Sequence, residues 1–203
     1  MALSRQVITD GLIDEMGRFE DLLRSLTPEE WATPSRCEGW TVGDVARHAI
    51  GSVADAAAGR LDGLGTPEVT QREVDERAGK TASEMADECA ETAKAITGLL
   101  AVFDDDAWDG PAPGGFDGSI GRGIEAFWYD FWLHGHDIAA AIGREVPPGP
   151  SLVSGVSHIG WELERAGWTG GFPAEPDAQL TLILEATGRA PTRPDGPPNL
   201  YAA

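Results

Sequence analysis

Residues 120–142 form a long apolar stretch with charged side chains in its middle, and this combination limits the possible folds most strongly. The spacing of its apolar residues predicts one long helix that ends at Gly143. At about 100° per residue, Asp130 and His134 share a face of that helix. The same face carries Ala126, Phe127, Phe131, Leu133, Ile138 and Ala141. Because an ionised carboxylate among apolar side chains needs compensation, the helix predicts a bound cation on this face.

A divalent metal ion would provide this compensation, since a carboxylate and an imidazole four residues apart can both bind it. The alternative is that Asp130 and His134 only hydrogen-bond each other or cap neighbouring backbone. A third ligand must come from another helix, and His48 is the best candidate, although a histidine at the border of an apolar face is commonly structural. Helical bundles build metal sites from facing helices, and two imidazoles with one carboxylate leave an open position, as in catalytic sites. We therefore predict a metal site at His48, Asp130 and His134, whereas His136 points away from it.

The remaining pattern predicts a mainly α protein. Besides residues 120–142, helices are predicted over residues 3–26, 41–58, 71–103 and 152–166. The second of these begins at Thr41, with Asp44 three residues later as in a capping box. Residues 179–185 are partly β-branched and bounded by Pro176 and Gly188, which is typical of a short strand. We expect a helical metal-binding bundle over residues 1–168 and a short C-terminal extension over residues 169–203.

Composition narrows the classes of partner. The chain has 203 residues, 41% of them hydrophobic, and a formal charge of −19, which disfavours nucleic acid and anionic membrane surfaces. Its two cysteines, Cys37 and Cys89, are too few for a disulfide framework. We find neither a signal peptide nor a segment of about 18 apolar residues that could span a membrane. The expectation is a cytoplasmic monomer or homodimer that acts on a small-molecule substrate.

Two groups of residues resemble the signatures of a known family. The first group comprises residues 26–31 (LTPEEW), residues 37–42 (CEGWTV), Asp44, Val45 and His48. The second comprises residues 134–139 (HGHDIA), followed by Ile142 and Gly143. Together they resemble the DinB-like, mycothiol-dependent maleylpyruvate isomerase family over roughly residues 5–165.

The resemblance implies a DinB-like four-helix bundle with an additional helix and a divalent metal, most often zinc, with nickel, iron or manganese as alternatives. It implies His48, Asp130 and His134 as ligands, and Asp137 as the partner that orients His134. The family usually has Glu where this chain has Asp130, and the shorter side chain retracts the carboxylate. A sterol-carrier-like C-terminal domain, common in the family, is expected to be truncated or absent here.

The resemblance also implies an activity. Characterised relatives use mycothiol, a low-molecular-weight thiol, and a metal can lower the pKa of such a thiol to give a nucleophilic thiolate. The first hypothesis is therefore a metal-dependent isomerase or transferase that uses mycothiol or a related thiol. The second is a metal-dependent hydrolase, lyase or cyclase without a thiol, and the third is a non-catalytic binding or stress protein.

For three further side chains, the sequence leaves a functional role and a structural role as alternatives. Cys37 lies just before the second predicted helix and is conceivable as a fourth ligand or a reactive thiol. Arg122 and Arg144 could bind a substrate carboxylate, although exposed charge near helix ends is the commoner explanation for such residues.

Overall fold

A computed structural model describes residues 3–145 and 147–202 of the chain. Its helices are α1 (Arg5–Arg24), α2 (Pro28–Trp31), α3 (Val42–Ala57), α4 (Pro67–Glu76), α5 (Ala82–Leu100), α6 (Asp105–Asp109), α7 (Ile120–Ala141), α8 (Leu152–Arg165) and α9 (Pro176–Ala186). These described residues contain isolated β-bridges, at Pro34 with Thr41 and at Pro111 with Ser119, but no strand. The predicted mainly α class is confirmed.

The four long helices α1, α3, α5 and α7 form a DinB-like four-helix bundle. Helix α1 packs against α5 and α7, and α3 packs against the same two helices, so α1 and α3 are diagonal to each other. The rings of Phe19 and Phe131 meet edge to face in the core, with centroids 5.0 Å apart. Other core side chains are Leu12, Met16, Leu23, Val45, Ile50, Val53, Met85, Ile96, Leu133 and Ile138. Because α3 and α7 are neighbours, residues on their facing sides meet.

The two helices predicted to carry the metal ligands begin and end close to the predicted positions. Thr41 caps α3, accepting a hydrogen bond from the backbone N–H of Asp44, while the Asp44 carboxylate accepts one from the N–H of Thr41. Ser119 caps α7 by accepting a hydrogen bond from the backbone N–H of Arg122. Gly143 lies just beyond α7 with a φ of 69°, a conformation that favours glycine.

The single helix predicted over residues 71–103 is wrong, because the structure has two helices there. Gly79 lies between them with a φ of 84°. Thr81 then caps α5 in a capping box with Glu84. The left-handed backbone at Gly79 cannot continue a right-handed helix. Helix α4, which begins at Pro67, before the start of the predicted helix, packs beside α3 as a separate element.

The strand predicted over residues 179–185 is also wrong, since these residues lie in α9. Pro176 occupies the first turn of this helix, where its missing N–H is not needed. A short apolar run has no period that distinguishes a strand from a buried helix, and here packing against α8 decides the outcome.

The chain divides into two compact units, and the unit that contains the bundle ends at residue 145. The domain boundary expected at residue 168 stays a prediction. The first unit is the bundle, residues 4–145, which contains every predicted ligand. The second contains α8 and α9 packed on each other. Over the described residues, no helix is long and apolar enough to cross a bilayer.

Candidate metal centre

The structure brings together the three side chains predicted as metal ligands. His48 lies on α3, and Asp130 and His134 lie one turn apart on α7. The His48 Nε2 is 3.8 Å from Oδ2 of Asp130, and the His134 Nε2 is 3.3 Å from Oδ1 of the same carboxylate. One ligand atom from each of the three residues lies within 4.8 Å of the others. Metal binding itself stays a prediction.

The other nitrogen of each imidazole contacts a buried carboxylate. Nδ1 of His48 lies 2.8 Å from Oε2 of Glu73, which extends from α4. Nδ1 of His134 lies 2.9 Å from Oδ2 of Asp137, one turn further along α7. Glu73 is 1% exposed and Asp137 is fully buried. An ionised carboxylate can only accept hydrogen bonds, so in each pair the imidazole Nδ1–H donates, and a neutral ring then has its lone pair on Nε2. Metal-binding histidines commonly show this arrangement.

The cluster carries an excess of negative charge. The carboxylates of Asp130, Asp137 and Glu73 contact the two imidazoles, and the Nε of Arg36 is 2.5 Å from Oδ1 of Asp137. The charges of these three carboxylates and the Arg36 guanidinium sum to two negative units when a bound metal keeps both imidazoles neutral. A divalent cation would neutralise this group.

The pKa of the His134 imidazole reflects both its burial and the negative charge around it. Burial lowers the pKa of its imidazole, but the charge of Asp130 and hydrogen bonds to Asp130, Asp137 and Cys37 outweigh that effect. The net result is a pKa well above the usual value. The position therefore stabilises positive charge.

The donor set and spacing fit a divalent metal. Two imidazole nitrogens and one carboxylate oxygen suit zinc, and imidazole also binds nickel and iron. In a tetrahedral zinc site with bonds of about 2.0–2.1 Å, neighbouring ligand atoms lie about 3.3 Å apart. The distances from His134 Nε2 to Oδ1 of Asp130 and from His48 Nε2 to Oδ2, 3.3 and 3.8 Å, are near that value but end on different oxygens of the carboxylate. The shorter carboxylate of Asp130 therefore still reaches both histidines.

Cys37 lies at the edge of this cluster. Its thiol donates to Oδ2 of Asp137 over 3.5 Å, and the side chain is half-buried. Cys37, His134 and Asp137 also place ligand atoms within 4.8 Å of one another. A role for Cys37 as a fourth ligand or a reactive thiol stays a prediction.

Other polar residues considered from the sequence lie elsewhere. Arg122 pairs with the buried Glu125, and Arg144 pairs with Glu30. These ion pairs give no support to a role in binding a substrate carboxylate. The ring of His136 packs against Trp132, with centroids 4.9 Å apart, and burial lowers the His136 pKa to about 4.

Sequence reasoning missed two residues of the cluster, Glu73 and Arg36. Glu73 lies near the start of the single helix predicted over residues 71–103, where nothing distinguishes it from neighbouring acids. Arg36 directly precedes the CEGWTV segment, and this position beside a recognised motif was the only available signal.

Comparisons with known proteins agree with this architecture. Residues 12–139, more than half of the chain, match the family model described as the mycothiol maleylpyruvate isomerase N-terminal domain. No curated protein matches the chain. Crystal structures of the mycothiol-dependent maleylpyruvate isomerase and of a histidine-to-alanine mutant of it each align with a TM-score of 0.67, at 15% identity and over 97% of both chains. At this identity, the likeness establishes the fold. The chain therefore belongs to the family of the mycothiol maleylpyruvate isomerase N-terminal domain.

Proposed function

We propose that this protein is a metal-dependent enzyme that uses mycothiol or a related thiol in an isomerase or transferase reaction on a small molecule. The observation that carries the proposal is the convergence of two imidazole Nε2 atoms on Asp130, with each Nδ1 facing a buried carboxylate. This cluster lies within the residues that match the family model. The similar solved structures are of a mycothiol-dependent maleylpyruvate isomerase, which favours isomerisation over the alternatives.

In this proposal His48, Asp130 and His134 hold a divalent metal, with zinc the first choice. When bound, the metal would supply positive charge that lowers the pKa of a thiol or polarises a substrate carbonyl. Three protein ligands leave a position open for that group. Asp137 accepts the Nδ1–H of His134, and Arg36 neutralises part of the Asp137 charge. Both contacts keep the His134 ring fixed in orientation.

Elemental analysis of the purified protein tests the metal site. We expect about one equivalent of a divalent metal in the wild type, since the three ligands form one site. His48→Ala, Asp130→Asn and His134→Ala should each lose most of it. Asp14→Asn, which removes an exposed acid from α1, serves as the control and should retain the metal. Equal metal content in the wild type and the three ligand variants would refute the site.

Turnover with and without the thiol tests the reaction class. Maleylpyruvate is the first substrate to try, with mycothiol present or omitted and the product identified by mass spectrometry. We expect turnover that requires both metal and thiol. Metal-dependent turnover without a thiol requirement would instead favour the hydrolase, lyase or cyclase class. A metal-free protein without turnover would favour a binding or stress protein.

A further inference from the structure

We propose that Glu73 is a positioning residue for the metal centre, because it holds His48 in the tautomer whose Nε2 is free to bind a metal. This inference rests on the proposed metal-dependent function and adds a residue that neither the family signatures nor the sequence pattern assigns. Glu73 comes from α4, which lies outside the four main helices of the bundle. The centre would then depend on three helices rather than two.

Glu73 contacts His48 directly. Oε2 of Glu73 is 2.8 Å from Nδ1 of His48, a distance typical of a charge-assisted hydrogen bond. A neutral imidazole has one N–H, and a carboxylate next to Nδ1 favours placing it there. Nε2 is then left with its lone pair on the side of Asp130, 3.8 Å from Oδ2. An anionic acceptor also makes the imidazole more basic and therefore a better ligand.

Within the described residues, hydrogen bonds satisfy only part of the Glu73 carboxylate. Its other oxygen, Oε1, is buried and has no hydrogen-bond partner within residues 3–145 and 147–202. Burying a carboxylate with an oxygen unpaired opposes folding, and an apolar side chain of similar volume would avoid that penalty. Because His48 is the one polar contact of this buried carboxylate among the described residues, Glu73 is better explained by its effect on His48 than by stability.

Contacts of a neighbouring residue hold the part of α4 that carries Glu73 in place. Arg77, one turn further along α4, donates to the backbone carbonyl of Glu73 over 3.1 Å and pairs with Glu88 of α5 over 2.8 Å. These contacts tie α4 to the bundle without using the Glu73 carboxylate. Removing that carboxylate should therefore leave α4 in place.

Asp137 makes the equivalent contact with His134, but replacing Asp137 would be a less selective test. Its second oxygen pairs with Arg36, so replacing Asp137 would also break a buried ion pair. Glu73 has no such second contact in the described part of the chain. Its replacement therefore separates the effect on the imidazole from general damage to the fold.

The test compares Glu73→Leu and Glu73→Gln with the wild type in two measurements. One is zinc affinity, by competition with a chromophoric chelator, and the other is apo-protein stability, by urea unfolding. Glu68→Gln, which changes an exposed acid on the same helix, is the matched control. We expect Glu73→Leu to weaken zinc binding about 10- to 100-fold while the apo protein unfolds at the same or a higher urea concentration. Glu73→Gln should fall between Glu73→Leu and the wild type, and Glu68→Gln should equal the wild type.

Wild-type zinc affinity in Glu73→Leu would overturn the proposal. So would a loss of affinity accompanied by a matching loss of apo stability, because that result would indicate a purely structural role.

A measurement without metal distinguishes failure of this inference from failure of the proposed function. Nitrogen NMR of the apo wild type, in mildly alkaline buffer, should show His48 protonated at Nδ1, and Glu73→Leu should shift it toward the Nε2–H form. If the wild type binds no zinc but shows this tautomer difference, the metal function fails and the positioning by Glu73 stands. The Nε2–H form in the wild type would refute the positioning whatever the metal content.

Discussion

Gly51 and Glu73 lie so close together that no side chain fits between them. A Cβ built on Gly51 would be 2.8 Å from the Cβ of Glu73, closer than such atoms approach in real proteins. The two residues belong to α3 and α4, so the glycine lets the backbone of α3 approach the side chain of Glu73 on α4. This close approach allows the carboxylate on α4 to reach His48 on α3.

Gly51→Ala should therefore disturb both the fold and the metal centre. Forcing a methyl group into this contact should lower the free energy of unfolding by about 1–3 kcal/mol, since α4 must shift. The same shift should lengthen the Glu73–His48 contact and weaken zinc binding. Gly17→Ala is the control, because a Cβ on that helical glycine meets nothing within 4 Å. Gly17→Ala should stabilise the protein by about 0.5–1 kcal/mol. A similar gain in Gly51→Ala would contradict the packing described here.

Substitutions at Asp130 separate the need for charge from the need for a particular length. Asp130→Asn keeps the size but removes the negative charge, and it should lose most of the bound metal. Asp130→Glu introduces the residue expected from the family resemblance and should retain the metal, since it keeps the negative charge and this side chain is partly exposed. Metal content and chelator competition measure both. Retention of metal by Asp130→Asn with loss in Asp130→Glu would show that length, rather than charge, matters at this position.

Arg36 is expected to stabilise the fold through Asp137. Arg36→Met removes the guanidinium that pairs with a fully buried carboxylate, and we expect a loss of about 1–3 kcal/mol in urea unfolding. Arg18→Met removes an arginine that is itself 45% exposed, so it should cost less than Arg36→Met, because water partly screens the pair of Arg18 with Glu15. Combining Arg36→Met with Asp137→Asn should cost less than the sum of the single changes, because the unpaired charge is gone. Strict additivity would argue against a coupled pair.

Cys89 should make stability depend on alkaline pH. Burial in the bundle, followed by the charges of Glu20 and Glu88, raises the pKa of this thiol from 9.0 to about 12. Below pH 9.0 the thiol is neutral in both states, whereas above it the unfolded chain ionises first, so stability is lost as the pH rises toward 12. The Cys89 contribution should approach about 1.4 kcal/mol per pH unit in this window.

Urea unfolding of the wild type and of Cys89→Ala across this alkaline range provides the test. Other groups titrate in both proteins, so the informative quantity is the difference between the two slopes. Identical slopes would show that the thiol ionises as readily in the folded protein as in the unfolded chain.

The helices that carry the predicted ligands follow from local sequence. The apolar period of residues 120–142 and the capping box of Thr41 with Asp44 involve residues a few positions apart, and the structure has α7 and α3 where these signals predict them. Family membership was also readable from short motifs and is confirmed by the match to residues 12–139. Where the local signal was weak, as in the aperiodic apolar run of residues 179–185, the sequence predicted a strand that is a helix.

Only the tertiary structure decided which carboxylate meets Nδ1 of His48 and which guanidinium meets Asp137. Glu73 reaches His48 across 25 positions, and Arg36 reaches Asp137 across 101 positions, through the packing of separate elements. Helix periodicity places a side chain on a face of its own helix, but it does not specify which residue of another element lies opposite. That choice depends on how closely the helices pack, as at Gly51, and on contacts between residues far apart in the chain.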